Sequence, residues 1–142
     1  MNDVKFSVAI HILVMIATSS VDVNSIALAQ SVGTNPSYIR KILSLLKKRG
    51  LIESHRGKSG ISLVKRPKDI SLLTIYEAVE EQEPTFFQIH QHANRHCPVG
   101  KNIKEMVFPI ESKLEKQISE SLASENLADV IERLGKLIEK EN

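Results

Sequence analysis

The sequence contains little sulfur and few aromatic rings: its 142 residues include one cysteine, no tryptophan and 4% aromatic residues. A single cysteine excludes an intramolecular disulfide, and a lone thiol is typical of proteins that work in a reducing cytoplasm. So few aromatic side chains argue against a platform on which the bases of a single-stranded nucleic acid would stack. We therefore expect a cytoplasmic protein without a disulfide framework.

Long apolar runs and the sequence motifs of common enzymes are also missing. The longest apolar stretch, Val8 to Ala17, is shorter than the roughly 18 residues that a membrane span requires, and His11 interrupts it. The start of the chain lacks the basic region of a signal peptide. No glycine-rich phosphate loop, HExxH motif or GxSxG motif is found in the sequence. We expect neither a membrane partner nor enzymatic activity.

Positive charge is concentrated in the middle of the chain, although the net charge is only +2. Residues 36–68 contain ten lysines or arginines and one acid, Glu53, so this segment carries +9. The rest of the chain has nine basic and sixteen acidic residues and carries −7. A strong local positive charge is typical of a surface that binds a polyanion, and a solvated face without a partner is the alternative.

Two helices joined by a tight turn are predicted next, and the second of them begins the basic segment. A helix over residues 25–32 stops at Gly33, because glycine readily takes the left-handed conformation that ends a helix. Asn35 can cap the next helix, and Pro36 fits its first position, where the missing N–H group costs nothing. This second helix is predicted to run to about Arg49.

A hairpin is predicted to follow. Residues 51–56 and 61–64 have the β-branched content and partial alternation of two short strands, and a glycine-bounded turn separates them. Residues 4–17 are also predicted to form a helix, because apolar residues recur there at helical spacing. The predicted order of helix, helix, turn, helix and hairpin is that of a winged helix-turn-helix domain. In such a domain the helix after the turn can enter the DNA major groove, and the hairpin forms the wing beside it.

The helix after the turn has one apolar and one polar side, as a recognition helix requires. Ile39, Ile42 and Leu46 lie on the apolar side at helical spacing. We expect double-stranded DNA to be contacted from the helix and, through phosphates, from the wing. A winged-helix module that binds another protein is the alternative. The candidate DNA-binding residues are Ser37, Tyr38, Arg40, Lys41, Ser44, Lys47 and Lys48 in the helix, with Arg56 and Lys58 in the wing.

The C-terminal part is predicted to be helical and to form the dimer interface. We expect a winged helix-turn-helix domain over residues 1–82, a loop over 83–102 and a helical dimerisation region over 103–142, in a mainly α fold. The long helix carries an apolar stripe that a two-fold partner would cover, which predicts a homodimer. The candidate dimerisation residues are Ile103, Val107, Ile110, Leu114 and Ile118.

Imidazole and thiol groups cluster before that helix. Cys97 with Pro98 has the pattern of a helix N-cap, where the positive helix end and the neighbouring His96 would favour the reactive thiolate. Cys97 is therefore a candidate redox or sensor residue, and a structural cysteine is the alternative. His90, His92 and His96 match no standard spacing of metal ligands, so no metal site is predicted. A metal-responsive sensor regulator that uses these histidines with Cys97 is the alternative.

Several segments of the chain occur together in one bacterial family: Asn24-Ser25-Ile26-Ala27, Tyr38-Ile39-Arg40-Lys41-Ile42-Leu43, Gly50-Leu51-Ile52, Ser54-His55-Arg56-Gly57 and Pro67-Lys68-Asp69-Ile70-Ser71. In these segments the sequence resembles the Rrf family of winged helix-turn-helix transcription regulators, and within it the YwnA type that lacks an iron–sulfur cluster. The resemblance implies a homodimer joined through the long helix, a palindromic operator and repression as the default activity. Cluster-binding members carry three cysteines before the long helix, and only Cys97 is present here. We therefore expect no iron–sulfur cluster and no other cofactor.

Overall fold

A computed structural model describes residues 4–55, 60–80 and 87–142 of the chain. Within these residues the fold is mainly α with one two-stranded antiparallel sheet, which confirms the predicted fold class. The elements are α1 (Lys5–Thr18), α2 (Ser25–Val32), α3 (Pro36–Lys48), β1 (Ile52–Ser54), β2 (Ile61–Leu63), a 3₁₀ turn (Pro67–Asp69), α4 (Leu72–Val79), α5 (Pro98–Ala123) and α6 (Leu127–Glu141).

The first four helices enclose one apolar core. Ile12 of α1, Leu28 of α2 and Ile75 of α4 are fully buried in it, because each lies on the apolar side of its helix. The buried residues from α3 are Ile39, Ile42 and Leu46, as its apolar spacing predicts. This core fixes the orientation of α3, whose other side remains exposed.

The helix α6 belongs to the same core. Its first residue, Leu127, is fully buried, and its backbone N–H donates to the carbonyl of Ile70 at 2.9 Å. The Leu72 N–H donates to the carbonyl of Glu125 at 2.9 Å, so the chain before α6 is bonded to the start of α4. Asn126 caps α6 in a reciprocal capping box with Asp129. The last helix therefore packs on α1 and the 3₁₀ turn instead of extending away from them.

The helix α5 begins at Pro98, whereas the predicted loop continued to residue 102. Cys97 takes the N-cap position and Pro98 the first helical position, which explains why the helix starts there and not at residue 103. The helix continues through Pro109. Among the described residues, none in α5 is fully buried.

No helix in residues 4–55, 60–80 and 87–142 is both long and apolar enough to cross a membrane.

Candidate nucleic-acid interface

The turn between α2 and α3 is built as its sequence predicts. Gly33 has a φ of 84°, and its N–H and that of Thr34 both donate to the carbonyl of Ala29, at 2.9 and 3.0 Å. The Asn35 side chain accepts the N–H of Tyr38 at 2.9 Å and caps α3. These bonds stop one helix and start the next within three residues. The start of α3 is thereby fixed relative to α2.

The outer side of α3 carries most of the predicted DNA-binding residues. Six exposed side chains form a continuous polar surface along the helix, which we call the α3 face: Ser37, Arg40, Lys41, Ser44, Lys47 and Lys48. In the described part of the chain, no carboxylate pairs with a cation of this face. Four positive charges thus remain uncompensated on one side of one helix.

Two cations of the α3 face are held by neutral hydroxyl groups. The Arg40 Nη2 donates to Ser37 Oγ at 3.1 Å, one helical turn earlier. The Lys47 Nζ donates to Ser54 Oγ of β1 at 3.0 Å. A hydroxyl orients a cation without neutralising it, so both side chains keep their full charge for an anionic ligand.

The other edge of α3 faces α4. Arg49 Nη2 lies 3.7 Å from Glu77 Oε1, so this arginine of the basic segment is paired within the chain. Lys48 lies along the same edge, in a groove that Arg49 and Glu77 also line. Tyr38 is half-buried and packs against the core, unlike the exposed cations. The α3 face is thus narrower than the basic segment of the sequence.

The two strands of the predicted wing pair Ile52 with Leu63 and Ser54 with Ile61. The strands are shorter than the predicted 51–56 and 61–64. Beyond Ser54, the His55 N–H still donates to the carbonyl of Gly60, at 3.3 Å. The predicted phosphate-binding residues Arg56 and Lys58 lie outside the described residues.

Sequence reasoning missed the role of β1 beside the α3 face. Successive strand residues point to opposite sides of a sheet, so Ile52 and Ser54 share one side and Glu53 and His55 the other. The first side faces α3, as the bond from Lys47 to Ser54 shows. His55 Nε2 lies 3.2 Å from Ser62 Oγ and 3.9 Å from Glu53 Oε1 on the far side. The alternation in residues 52–55 is the signal that would have found Ser54.

The predicted dimerisation stripe lies on α5 and is only partly covered by the described part of the chain. Ile110 is 59% exposed, and the other four members are partly buried. Val99 and Met106 are exposed on the same side of the helix, and the prediction did not include them. Phe108 is 64% exposed on the opposite side. The predicted dimerisation residues are Ile103, Val107, Ile110, Leu114 and Ile118.

Cys97 is exposed at the start of α5. The backbone N–H groups of Gly100 and Val99 lower the pKa of the Cys97 thiol, because they stabilise the thiolate. The sequence pattern assigns part of this lowering to His96, whereas the groups that lower the pKa in the structure are these two amides. Gly100 lies so close to the carbonyl of Asn94 that an added Cβ would collide with it. The loop therefore folds tightly over the first turn of α5.

The donor set of this chain does not fit an iron–sulfur cluster. Such clusters are held mainly by several cysteine thiolates, and Cys97 is the single cysteine of the sequence. Among the described residues, no three His, Cys, Asp or Glu side chains are close enough together to hold a metal ion. His90, His92 and His96 are all exposed.

The chain is similar to known transcription regulators over most of its length. Residues 3–133 match the Rrf2 family, which is described as an iron-dependent transcriptional regulator. The chain is 41% identical over 130 residues to YwnA of Bacillus subtilis (strain 168), which bears the name of an HTH-type transcriptional regulator. That match covers 92% of this chain and 96% of YwnA.

Solved structures agree with this similarity. A crystal structure named as that of a DNA-binding protein is 38% identical with a TM-score of 0.73, and the match covers 89% of this chain and 98% of the other. A transcriptional regulator from Lactobacillus plantarum is 29% identical with a TM-score of 0.75, and the match covers 97% and 96% of the two chains. These matches confirm the predicted family resemblance and the winged-helix fold, and the family and its named relatives are regulators rather than enzymes.

Proposed function

Since the chain belongs to the Rrf2 family of transcriptional regulators, we propose that it binds one specific DNA sequence and represses transcription as a homodimer on a palindromic operator. The single observation that carries this proposal is the α3 face, with four cations that no described carboxylate pairs. The phosphate backbone of DNA supplies the matching negative charge. Repression is the default that the resemblance implies.

Within the α3 face we assign sequence reading to its N-terminal half. In helix-turn-helix proteins the first turns of the recognition helix meet the base edges. Arg40 lies there, and its guanidinium donates a hydrogen bond to Ser37. An arginine can bond O6 and N7 of guanine with two donors. Lys41 and Ser44 are its neighbours on the same side. We assign Lys47, Lys48 and the wing residues Arg56 and Lys58 to phosphates.

The apolar side of α5 supports the proposed homodimer. A row of partly or largely exposed apolar side chains on a 26-residue helix favours cover by a second copy of the same helix. A two-fold axis through this contact would repeat α3 about 34 Å away, one turn of the duplex. An operator for such a dimer is palindromic, because each α3 face meets the same half-site.

We propose that this regulator works in the cytoplasm, where a bacterial chromosome lies, and without an iron–sulfur cluster. The family is described as iron-dependent, but this chain contributes one thiolate. The lowered pKa of Cys97 supports a second candidate, a regulator whose DNA binding responds to modification of that thiol. The rate at which Cys97 is alkylated at different pH values tests this candidate.

Selection of bound sequences from random duplex DNA tests the main proposal. We expect one palindromic sequence to emerge, with half-sites about one helical turn apart. Arg40→Ala should weaken binding to it by about 1–3 kcal/mol and relax the preference at one base pair of each half-site. Lys140→Ala removes an equal charge from α6 and should leave the preference unchanged. Recovery of no sequence above the starting pool would contradict the proposal.

A further inference from the structure

A small groove separates the α3 face from the predicted wing. It has a volume of about 270 Å³, and seven side chains from α3, β1 and β2 line it. Its floor is apolar, formed by Leu43, Ile52 and Ile61. Arg40, Ser44 and Lys47 line one wall, since residues i, i+4 and i+7 lie on one side of a helix. Ser54 supplies the opposite wall.

The hydrogen bond from Lys47 to Ser54 crosses this groove. A lysine ammonium has three donors, and the 3.0 Å bond to Ser54 Oγ uses one of them. Ser54 accepts that bond with its oxygen and thereby holds the ammonium in the groove. The ammonium keeps its other N–H groups for a ligand. An anionic oxygen is the ligand that these groups fit.

Electrostatics favour the same occupant. No described carboxylate pairs with Lys47 or with Arg40, so the groove keeps an uncompensated positive charge. Charges attract more strongly beside an apolar floor than in open water, because the local dielectric constant is lower. The groove also lies between the two elements that a winged-helix protein places against a duplex.

We propose that this groove binds one phosphate of the DNA backbone, with Lys47 as the contacting cation and Ser54 as the residue that positions it. The inference rests on the proposed DNA binding and assigns a further residue, Ser54, to that interface. Arg40 keeps its proposed role of contacting a base, since the hydrogen bond to Ser37 orients its guanidinium within α3 itself. The phosphate in the groove would set the distance between α3 and the duplex for every base sequence alike.

The test is binding to a mixed-sequence duplex of about 30 base pairs at several salt concentrations. Lys47→Ala should reduce the slope of log affinity against log salt by about 0.9 for each phosphate that the variant no longer neutralises. Ser54→Ala should weaken binding by about two- to fivefold, the range for an exposed charged interaction, and leave the slope near that of the wild type because the ammonium remains. Lys140→Ala is the charge-matched control and should change neither quantity.

A double-mutant cycle separates positioning from a general structural effect. If Ser54 acts through Lys47, Ser54→Ala has no further effect in a Lys47→Ala background, and Ser54→Thr, which keeps the hydroxyl, restores affinity. An equal loss in both backgrounds, or an unchanged salt slope in Lys47→Ala, overturns the phosphate assignment while DNA binding stands. Absence of salt-dependent binding by the wild-type protein refutes the proposed function itself. Thermal unfolding of each variant shows that the fold is intact.

Discussion

The helices α3 and α5 both carry an apolar stripe at helical spacing, yet the structure treats the two stripes differently. Ile39, Ile42 and Leu46 of α3 are 0% exposed, because α1, α2 and α4 cover them. In α5 no residue of the described chain is fully buried, and Ile110 is 59% exposed. The buried stripe of α3 fixes the orientation of the polar side of that helix. The partly exposed stripe of α5 favours contact with a partner outside the chain.

The same contrast extends to the polar sides. On α3 the exposed side carries unpaired cations, which suits a polyanion. On α5 the side opposite Ile110 exposes Phe108 and mixes acids with lysines. In our proposal, function thus resides on the polar side of α3 and on the apolar side of α5.

The largest expected effect is on the free energy of unfolding, and it concerns one isoleucine from each stripe, Ile42 and Ile110. Ile42→Ala should lower the free energy of unfolding by about 2–5 kcal/mol, since it leaves a cavity in a closed core. Ile110→Ala creates no cavity within the chain. Its effect on the free energy of unfolding should therefore shrink when the protein is diluted below the dissociation constant of the dimer. Denaturant unfolding at two protein concentrations measures both. An equal, concentration-independent cost for the two variants would contradict the distinction between the stripes.

The next effect concerns association. Ile110→Glu places a charge in the proposed interface and should weaken the dimer by about 100-fold, roughly 3 kcal/mol, because an unpaired charge resists burial. Ser112→Glu puts the same charge on the other side of α5 and should leave the dimer unchanged. Sedimentation equilibrium distinguishes them. A wild-type protein that sediments as a monomer at micromolar concentration would rule out the proposed use of the stripe.

The sequence was sufficient where local chemistry decides the structure. The bounds of α2 at Ser25–Val32 follow from the Asn24 cap and the glycine that ends it, and the start of α3 follows from Asn35 and Pro36. These residues act on the backbone within a few positions, so their effect can be read without the rest of the fold.

Features that depend on distant partners were not predictable in the same way. Leu127 is buried in a core formed by residues far away in the sequence, and its N–H bonds to the carbonyl of Ile70. Ser54 acquires its role only because the hairpin places it beside Lys47. The apolar patterns of α3 and α5 alone do not say which of them the chain will cover. Tertiary contacts decide such questions, and spacing within one helix does not contain them.

A smaller effect on stability is expected at two glycines, Gly33 and Gly135, that both have free space around them. In the described chain, nothing lies within 4 Å of a Cβ added at Gly33 or Gly135. Gly33 has a φ of 84°, so Gly33→Ala should cost about 1–2 kcal/mol through the left-handed backbone at the entrance to α3. Gly135 lies inside α6, where alanine is the better helix former, so Gly135→Ala should stabilise by about 0.5–1 kcal/mol. Thermal unfolding gives the signs, and a stabilising Gly33→Ala would show that this turn is not fixed as described.

The smallest expected effect is on the reactivity of Cys97, and it depends on a difference between the first turns of α3 and α5. Both helices have an N-cap residue followed by proline, but the Asn35 side chain accepts the N–H of Tyr38, whereas the backbone amides of Gly100 and Val99 lower the pKa of the Cys97 thiol. A lowered pKa means that the thiolate fraction of Cys97, and with it the rate of alkylation by iodoacetamide, should rise at a lower pH than for an ordinary cysteine. The same protein unfolded in urea is the matched control, because unfolding removes the amides and should move the rate profile to higher pH. Identical profiles for the folded and unfolded protein would show that the start of α5 does not activate this thiol, and the thiol-responsive alternative would lose its support.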